Sequence, residues 1–182
     1  MTFPVLQTER LQLVEVTDDH AEALFEILSD EAVTRFYGMD PLTSAEQGTM
    51  IVKSFDDTYK TRRGIRWGMV DKETGAFIGT IGFNHLSEYS KKTEIGFELS
   101  PAYWGKGYTS EAVRVILRYA FEELDLFRVG AVTFPDNVAS IRLLEKQGFV
   151  QEGKLRGYLY QGGRSHDGCL FSIIQPDWVV KS

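Results

Sequence analysis

The chain has 182 residues, of which 43% are hydrophobic and 25% are charged, as in an ordinary globular protein. This length fits one domain, so we expect a single domain spanning residues 1–182. The net charge of −6 does not provide the basic face that non-specific nucleic-acid binding requires, and we expect no nucleic-acid partner.

The first half of the chain predicts one strand, two helices and a run of strands. Residues 11–16 have the pattern of a strand, and residues 44–62 predict the second of the two helices. The first helix is predicted by apolar residues at the spacing i, i+3, i+4 and i+7, namely Ala21, Leu24, Phe25 and Leu28. Three strands then follow, and the short turns between them favour antiparallel pairing.

The second half predicts two helices and three strands. Residues 109–124 carry a broad apolar stripe typical of an amphipathic helix, and residues 127–134 form the next strand. A shorter helix ends at Gly148. The last two strands surround a turn at Gly162 and Gly163. This order predicts an α/β domain of the α+β type, with about four helices and a mixed, mostly antiparallel sheet of about seven strands.

A glycine-rich turn separates a predicted strand from the helix at 109–124. Gly105 and Gly107 let the backbone approach a ligand closely, and a helix N-terminus favours anions. The spacing excludes two better-known phosphate loops, because Ser110 replaces the third glycine of a dinucleotide fingerprint and Gly107 replaces the Ser or Thr of a P-loop. The turn is therefore either a phosphate site of another kind or a plain tight turn.

Three segments carry a family resemblance. "YWGKGYTSEA" at 103–112 and "DNVASIRLLEKQGF" at 136–149 resemble the GNAT superfamily of acetyl-CoA-dependent N-acetyltransferases, and "QTERLQLVEVTDDHAEAL" at 7–24 resembles its RimJ/RimL-like branch. The resemblance implies that the strands at 93–100 and 127–134 are parallel neighbours that splay apart, with acetyl-CoA in the opening.

The resemblance also implies which residues bind acetyl-CoA. Backbone groups of the first splayed strand would pair with the pantetheine arm, the N–H of Leu99 or its neighbour would stabilise the oxyanion, and the glycine turn would hold the pyrophosphate. The implied binding residues are Phe97, Leu99, Trp104, Gly105, Lys106, Gly107, Tyr108, Thr109, Asn137 and Ser140. The sequence departs from the family pattern at Trp104, where Arg or Gln is usual, and at Thr109, where Gly or Ala is usual.

Acetyl transfer needs a group that removes a proton from the attacking amine. Strand alternation places Glu94, Gly96 and Glu98 on one face, so both carboxylates are candidate catalytic bases. The alternative is that both are ordinary polar residues on a solvated face. The resemblance favours Glu94, because Leu159 occupies the position of the RimL-like glutamate.

Ser140 is the third candidate catalytic residue. The resemblance implies that it assists the leaving thiolate, since Leu144 replaces the tyrosine that many relatives use. Ser140 is alternatively a small helix residue, and Asn137 is alternatively an N-cap.

The resemblance predicts direct acetyl transfer in a ternary complex to a primary amine, preferably a protein N-terminal α-amine. The alternatives are a small amine (polyamine, amino acid or antibiotic) and a non-catalytic acyl-CoA-binding module. Relatives are often homodimers, so a homodimer is a further expectation.

The remaining sequence features predict a simple cellular context. The three histidines show no metal-ligand spacing, so we expect no metal. The chain has no recognisable signal peptide and no apolar run of roughly 20 residues, so we expect a cytoplasmic protein without a membrane partner. One cysteine, Cys169, cannot form an intramolecular disulfide and is expected in the core.

Overall fold

The structure, a computed structural model, describes residues 2–179. Its strands are β1 (Leu6–Gln7), β2 (Leu11–Glu15), β3 (Ile65–Asp71), β4 (Phe77–Ser87), β5 (Lys92–Leu99), β6 (Arg128–Thr133), β7 (Val150–Gln161) and β8 (Arg164–Ile174). Its helices are α1 (Ala21–Leu28), α2 (Glu31–Thr34), α3 (Ala45–Lys60), α4 (Tyr108–Arg118), α5 (Val138–Gln147) and α6 (Gln175–Val179).

All eight strands form one sheet in the order β1-β2-β3-β4-β5-β6-β8-β7. Every neighbouring pair is antiparallel except β5 and β6, which are parallel. A parallel pair needs a crossover connection, and the chain makes it with α4. The predicted mixed, mostly antiparallel sheet is therefore confirmed, and so is the parallel pair that the resemblance implied.

Alternation along the strands gives the sheet two apolar faces. Trp67 and Met69 of β3 are fully buried in the larger core, which also contains the apolar stripe of α4. Gly68, between them, faces the other side, where a Cβ would touch Phe77 and Val16. Those two residues belong to the second core, which α1 and α3 cover. Side chains of this second face point toward α1 and α3.

The short elements were not predicted from the sequence. β1, α2 and α6 have two to five residues, which is too short for a periodic pattern to develop. The predicted helix at 109–124 is confirmed as α4, but its last turn, Tyr119–Glu123, is π-helical. Cys169 is buried, as predicted.

Candidate active site

The sheet opens between its two parallel strands. β5 and β6 form three register pairs, Lys92 with Arg128, Thr93 with Val129 and Glu94 with Gly130. Beyond Glu94, β5 continues beside β4 as far as Leu99, and β6 continues beside β8 as far as Thr133. Each strand thus keeps its outer partner while the two inner edges diverge, which confirms the splay.

The backbone N–H and carbonyl groups of every second residue of β5 face this opening. The N–H of Ser100 donates to the carbonyl of Ile78 in β4 at 2.7 Å. In an antiparallel ladder the next backbone groups along the strand face the other way, so those of Leu99 and Phe97 point toward β6. The Leu99 carbonyl accepts a hydrogen bond from Trp104 Nε1 at 2.7 Å. Trp104 makes no hydrogen bond with the other groups that face the opening, which are the Leu99 N–H and the N–H and carbonyl of Phe97.

The two glycines of the turn adopt a backbone geometry that other residues rarely adopt. Gly105 has φ 71° and Gly107 has φ 83°, both in the left-handed region that favours glycine. Gly107 is the N-cap residue of α4. The first N–H groups of a helix have no partner within the helix, so the start of α4 presents donors that suit an anion. The Lys106 ammonium donates to the Ala102 carbonyl at 2.8 Å.

The other strand of the opening leads into α5, whose N-terminus carries Asn137 and Ser140. The Asn137 side chain accepts from the Ser140 N–H at 3.2 Å and donates to the Ser140 hydroxyl at 3.0 Å. Asn137 is therefore an N-cap, as the alternative interpretation predicted. The Ser140 hydroxyl accepts this bond, which leaves its own proton available for another acceptor. Leu144, one turn further, is buried and donates nothing.

Glu94 stands at the last paired position before the strands separate. It is opposite Asn84 in β4 and Gly130 in β6. A Cβ on Gly130 would lie 3.4 Å from Glu94 Cγ, so the small neighbour leaves room for this side chain. The Glu94 side chain is 32% exposed, and its Oε2 is 3.2 Å from Nδ1 of His85. The carboxylate is thus accessible and beside the opening.

Glu98 has different surroundings, although alternation places it on the same face. It is buried, its Oε2 is 2.6 Å from Arg66 Nη2, and its other oxygen accepts from the Thr80 hydroxyl. Arg66 is buried as well and also donates to the Gly96 carbonyl at 3.1 Å. Both oxygens of Glu98 already have partners, so the alternative interpretation, in which both carboxylates lie on a solvated face, is wrong for Glu98.

Tyr37 extends this buried network to the segment that follows α2. Its hydroxyl accepts from Arg66 Nη2 at 2.7 Å. Burial raises the pKa of Tyr37 above the usual value of a tyrosine, so the hydroxyl is protonated near neutral pH. The network therefore attaches residues 34–40 to the same face of the sheet as Glu94.

The hairpin of β7 and β8 closes over that segment. Gln161 donates to the Thr34 carbonyl at 2.7 Å and accepts from the Gly38 N–H at 3.0 Å. The Gly162 N–H donates to the Asp40 carboxylate at 3.0 Å. These contacts place two segments, more than 120 positions apart in the chain, beside one another on the Glu94 side of the sheet.

Sequence reasoning missed several polar residues of this face. Arg66 had a local signal, because a charged residue inside the apolar stretch "IRWGMV" usually has a buried partner. His85 had none, since its contact with Glu94 depends on a left-handed backbone (φ 51°) at a register irregularity in β4. Gln161 also had none, because its partners lie in a distant segment.

Residues 2–179 contain neither a candidate membrane-spanning helix nor a candidate metal site. No helix there is long and apolar enough to cross a membrane. No group of three or more His, Cys, Asp and Glu side chains in that range could hold a metal ion.

Comparison with known proteins agrees with this architecture. Residues 10–150 match the family described as Acetyltransferase (GNAT) domain. The chain is 45% identical to the uncharacterized N-acetyltransferase YoaA of Bacillus subtilis, over 96% of this chain and 98% of YoaA. It is 32% identical to YdaF of Bacillus subtilis, a protein assigned provisionally as a ribosomal N-acetyltransferase, over 79% of this chain and 77% of YdaF.

Among solved structures, the ribosomal-protein-S5-alanine acetyltransferase of Vibrio fischeri superposes with a TM-score of 0.81. Its sequence identity is 25%, and the match covers 96% of this chain and 98% of that one. Ribosomal-protein acetyltransferases among the relatives agree with the RimJ/RimL-like branch that the sequence resembles. The chain belongs to the GNAT family and is an N-acetyltransferase.

Proposed function

We propose that the protein transfers an acetyl group from acetyl-CoA to the α-amine at the N-terminus of a protein or peptide. The single observation that carries the proposal is the position of Glu94, an accessible carboxylate at the last register pair before β5 and β6 separate. Beyond Glu94 the edge of β5 that faces β6 has no strand partner, so a base at Glu94 lies beside the start of this open edge.

Acetyl-CoA, as the acetyl donor, suits the opening for two reasons. The Phe97 backbone and the Leu99 N–H face the gap, so an extended amide-containing arm can pair with them as an added strand would. The glycine turn at 105–109 lies at the start of α4, where free N–H groups favour a pyrophosphate. The predicted side-chain contacts of Trp104, Lys106, Tyr108 and Thr109 with acetyl-CoA stay predictions.

The proposed reaction is a direct attack in a ternary complex. Glu94 accepts a proton from the amine, directly or through water, and the amine nitrogen then bonds to the thioester carbon. The Leu99 N–H is placed to stabilise the oxyanion of the tetrahedral intermediate. As the intermediate collapses, the C–S bond breaks and the nitrogen loses its remaining extra proton to the departing sulfur or to water, so that the products are the neutral amide and CoA. The Ser140 hydroxyl donates a hydrogen bond to the leaving thiolate.

Glu94 suits an α-amine better than a lysine side chain. A free α-amine has a pKa near ~8, whereas that of lysine is near ~10.4, so the α-amine loses its proton more readily at neutral pH. An α-amine therefore needs less help from a base than a lysine side chain does. The ribosomal assignments of YdaF and the Vibrio fischeri enzyme support the same acceptor class.

The proposal is tested with a panel of acceptors and isotopically labelled acetyl-CoA. The panel contains a lysine-free peptide with a free N-terminus, a peptide with a blocked N-terminus and one lysine, spermidine, and free amino acids. We expect mass spectrometry to show acetylation of the first peptide and little of the second. Acetylation of spermidine alone would assign the small-amine alternative, and CoA binding without turnover over the whole panel would assign the non-catalytic module.

A further inference from the structure

Arg10, just before β2, reaches across the fold to the glycine turn. Its Nη1 donates to the Lys106 carbonyl at 2.9 Å, and its Nε donates to Glu111 Oε2 at 2.9 Å. Its guanidinium lies 4.1 Å from the centre of the Tyr108 ring. One side chain from the N-terminal segment thus contacts Lys106 in the glycine turn and two residues at the start of α4.

The bond to Lys106 determines how the turn presents its backbone. The Lys106 carbonyl and the Gly107 N–H belong to one planar trans peptide, so they point in opposite directions. Holding the carbonyl toward Arg10 therefore turns the Gly107 N–H away from Arg10. Gly105 and Gly107 allow many backbone conformations, so the Lys106–Gly107 peptide has little intrinsic preference for one orientation. Its orientation therefore depends on an external contact.

The bond to Glu111 fixes the other end of the same segment. The Glu111 carboxylate accepts from the Arg10 N–H at 2.7 Å, from Arg10 Nε and from the Thr8 hydroxyl. Burial alone would raise the pKa of Glu111, but these hydrogen bonds outweigh it and hold the pKa below its usual range. Glu111 is therefore ionised at neutral pH, and without Arg10 its charge would repel a phosphate at the start of α4.

Arg10 differs from Lys106 and Trp104 in how it contributes charge beside the turn. The Lys106 ammonium is bound to the Ala102 carbonyl, and Trp104, at the position where the family pattern has Arg or Gln, is neutral. Arg10 Nη2, for which residues 2–179 supply no hydrogen-bond partner, lies 3.4 Å from the point where a Cβ on Gly107 would stand. Arg10 is thus a cation held against the turn.

We propose that Arg10 is a positioning residue for the pyrophosphate of acetyl-CoA. Arg10 fixes the Lys106–Gly107 peptide so that the Gly107 N–H is directed at the pyrophosphate. Arg10 also neutralises the charge of Glu111, which would otherwise repel that anion. This inference rests on the proposed use of acetyl-CoA at residues 105–109. It adds a residue that lies about one hundred positions from the turn and outside the motif at 103–112 that contains the turn.

The test compares donors with and without the pyrophosphate. Arg10→Met keeps the length of the side chain and removes its charge, and Arg10→Lys keeps a charge but cannot reach both Lys106 and Glu111 at once. The matched control is Arg114→Met, which removes an exposed arginine from α4 and changes net charge equally. CoA affinity is measured by calorimetry, and kcat/KM is measured with acetyl-CoA and with S-acetylpantetheine, which lacks the pyrophosphate.

We expect Arg10→Met to weaken CoA binding by about tenfold or more, as for loss of hydrogen bonds to a charged group. Arg10→Lys should give a smaller loss and Arg114→Met almost none. With S-acetylpantetheine all variants should stay within about twofold of wild type. That selective loss separates positioning of the pyrophosphate from general damage to the fold.

Two results would overturn the inference. One is wild-type CoA affinity in Arg10→Met, and the other is an equal loss with acetyl-CoA and S-acetylpantetheine. If Arg10→Met does not fold, the same comparison with Arg10→Lys decides. A wild-type protein that binds no CoA would instead contradict the proposed function, and the inference with it.

Discussion

Glu94 and Glu98 lie four residues apart on one face of β5, but their environments differ. Glu94 is 32% exposed, contacts the exposed His85, and stands where β5 leaves β6. Glu98 is buried and bound by Arg66 and Thr80. The Glu94 carboxylate is accessible to a ligand or to water, whereas the Glu98 carboxylate is enclosed in the interior of the protein.

The difference shows that a strand pattern determines the face of a residue and not its partners. Glu98 is buried because Arg66 of β3 and Tyr37 occupy the same side of the sheet. Glu94 is accessible because its neighbours in the flanking strands are Asn84, which is exposed, and Gly130, which has no side chain. The neighbouring strands therefore determine the two environments.

The largest expected effect separates the two carboxylates by activity. Glu94→Gln keeps the shape of the side chain and removes the base, so kcat should fall by roughly 10²–10⁴-fold near neutral pH and recover partly at high pH. Thermal stability should change little, because Glu94 is partly exposed. The control is Glu88→Gln, an exposed glutamate after β4. Wild-type activity in Glu94→Gln, with an inactive but folded Glu98→Gln, would show that Glu98 is the base.

The second prediction distinguishes Glu98 from Glu94 by the effect of its buried ion pair on the stability of the fold. Arg66→Met leaves the Glu98 carboxylate buried without its ion-pair partner, which should cost about 3–5 kcal/mol in the free energy of unfolding. Urea denaturation measures this. The double variant Arg66→Met with Glu98→Met should regain much of the loss, since apolar groups can replace both ends of a buried pair. A double variant no more stable than the single one would mean that the charges themselves are needed.

The third prediction concerns the link from the buried pair to residues 34–40. Tyr37→Phe removes the hydroxyl that accepts from Arg66, and hydrogen bonds to charged groups are worth about 1.5–3 kcal/mol. We expect denaturation to show a loss in this range and the KM for the acceptor to rise. Tyr59→Phe is the control, because its hydroxyl makes one exposed bond to the Thr2 carbonyl. Equal, small losses in both variants would show that the buried hydroxyl contributes nothing special.

The smallest effect comes from a carboxylate paired at the surface. Glu152 accepts two hydrogen bonds of 2.6 Å from Arg128 and one of 2.5 Å from Ser172, and these lower the pKa of Glu152 to about 2. A depressed pKa in the folded state adds stability above the unfolded value, near 4.5, and this contribution is lost as pH falls toward about 2.

The side chain of Glu152 is 38% exposed, so solvent and salt reduce this contribution. We expect wild type to be slightly more stable than Glu152→Gln at pH 7, and the difference to disappear near pH 2. Thermal denaturation over this pH range measures it. A difference that stays constant with pH would show that packing, and not charge, supports Glu152.

The elements that the sequence alone determined are those with local causes. Periodicity predicted α1, α3, α4, α5 and the long strands, because burial on one face repeats every 3.6 or 2 residues. Glycines predicted the turn at 105–107, the end of α5 at Gly148 and the last hairpin, and these glycines have positive φ. The motifs at 103–112 and 136–149 identified the family, and with it the opening between β5 and β6.

The tertiary structure alone decided which side chains meet. Arg10 contacts Lys106 and Glu111, Gln161 contacts Thr34, and Arg66 contacts Glu98, across 32 to 127 positions of the chain. His85 contacts Glu94 only because β4 departs from a regular strand between Asn84 and Ser87. A single sequence records local patterns of polarity and turn residues, whereas these contacts depend on strand order and register, which only the folded chain brings together.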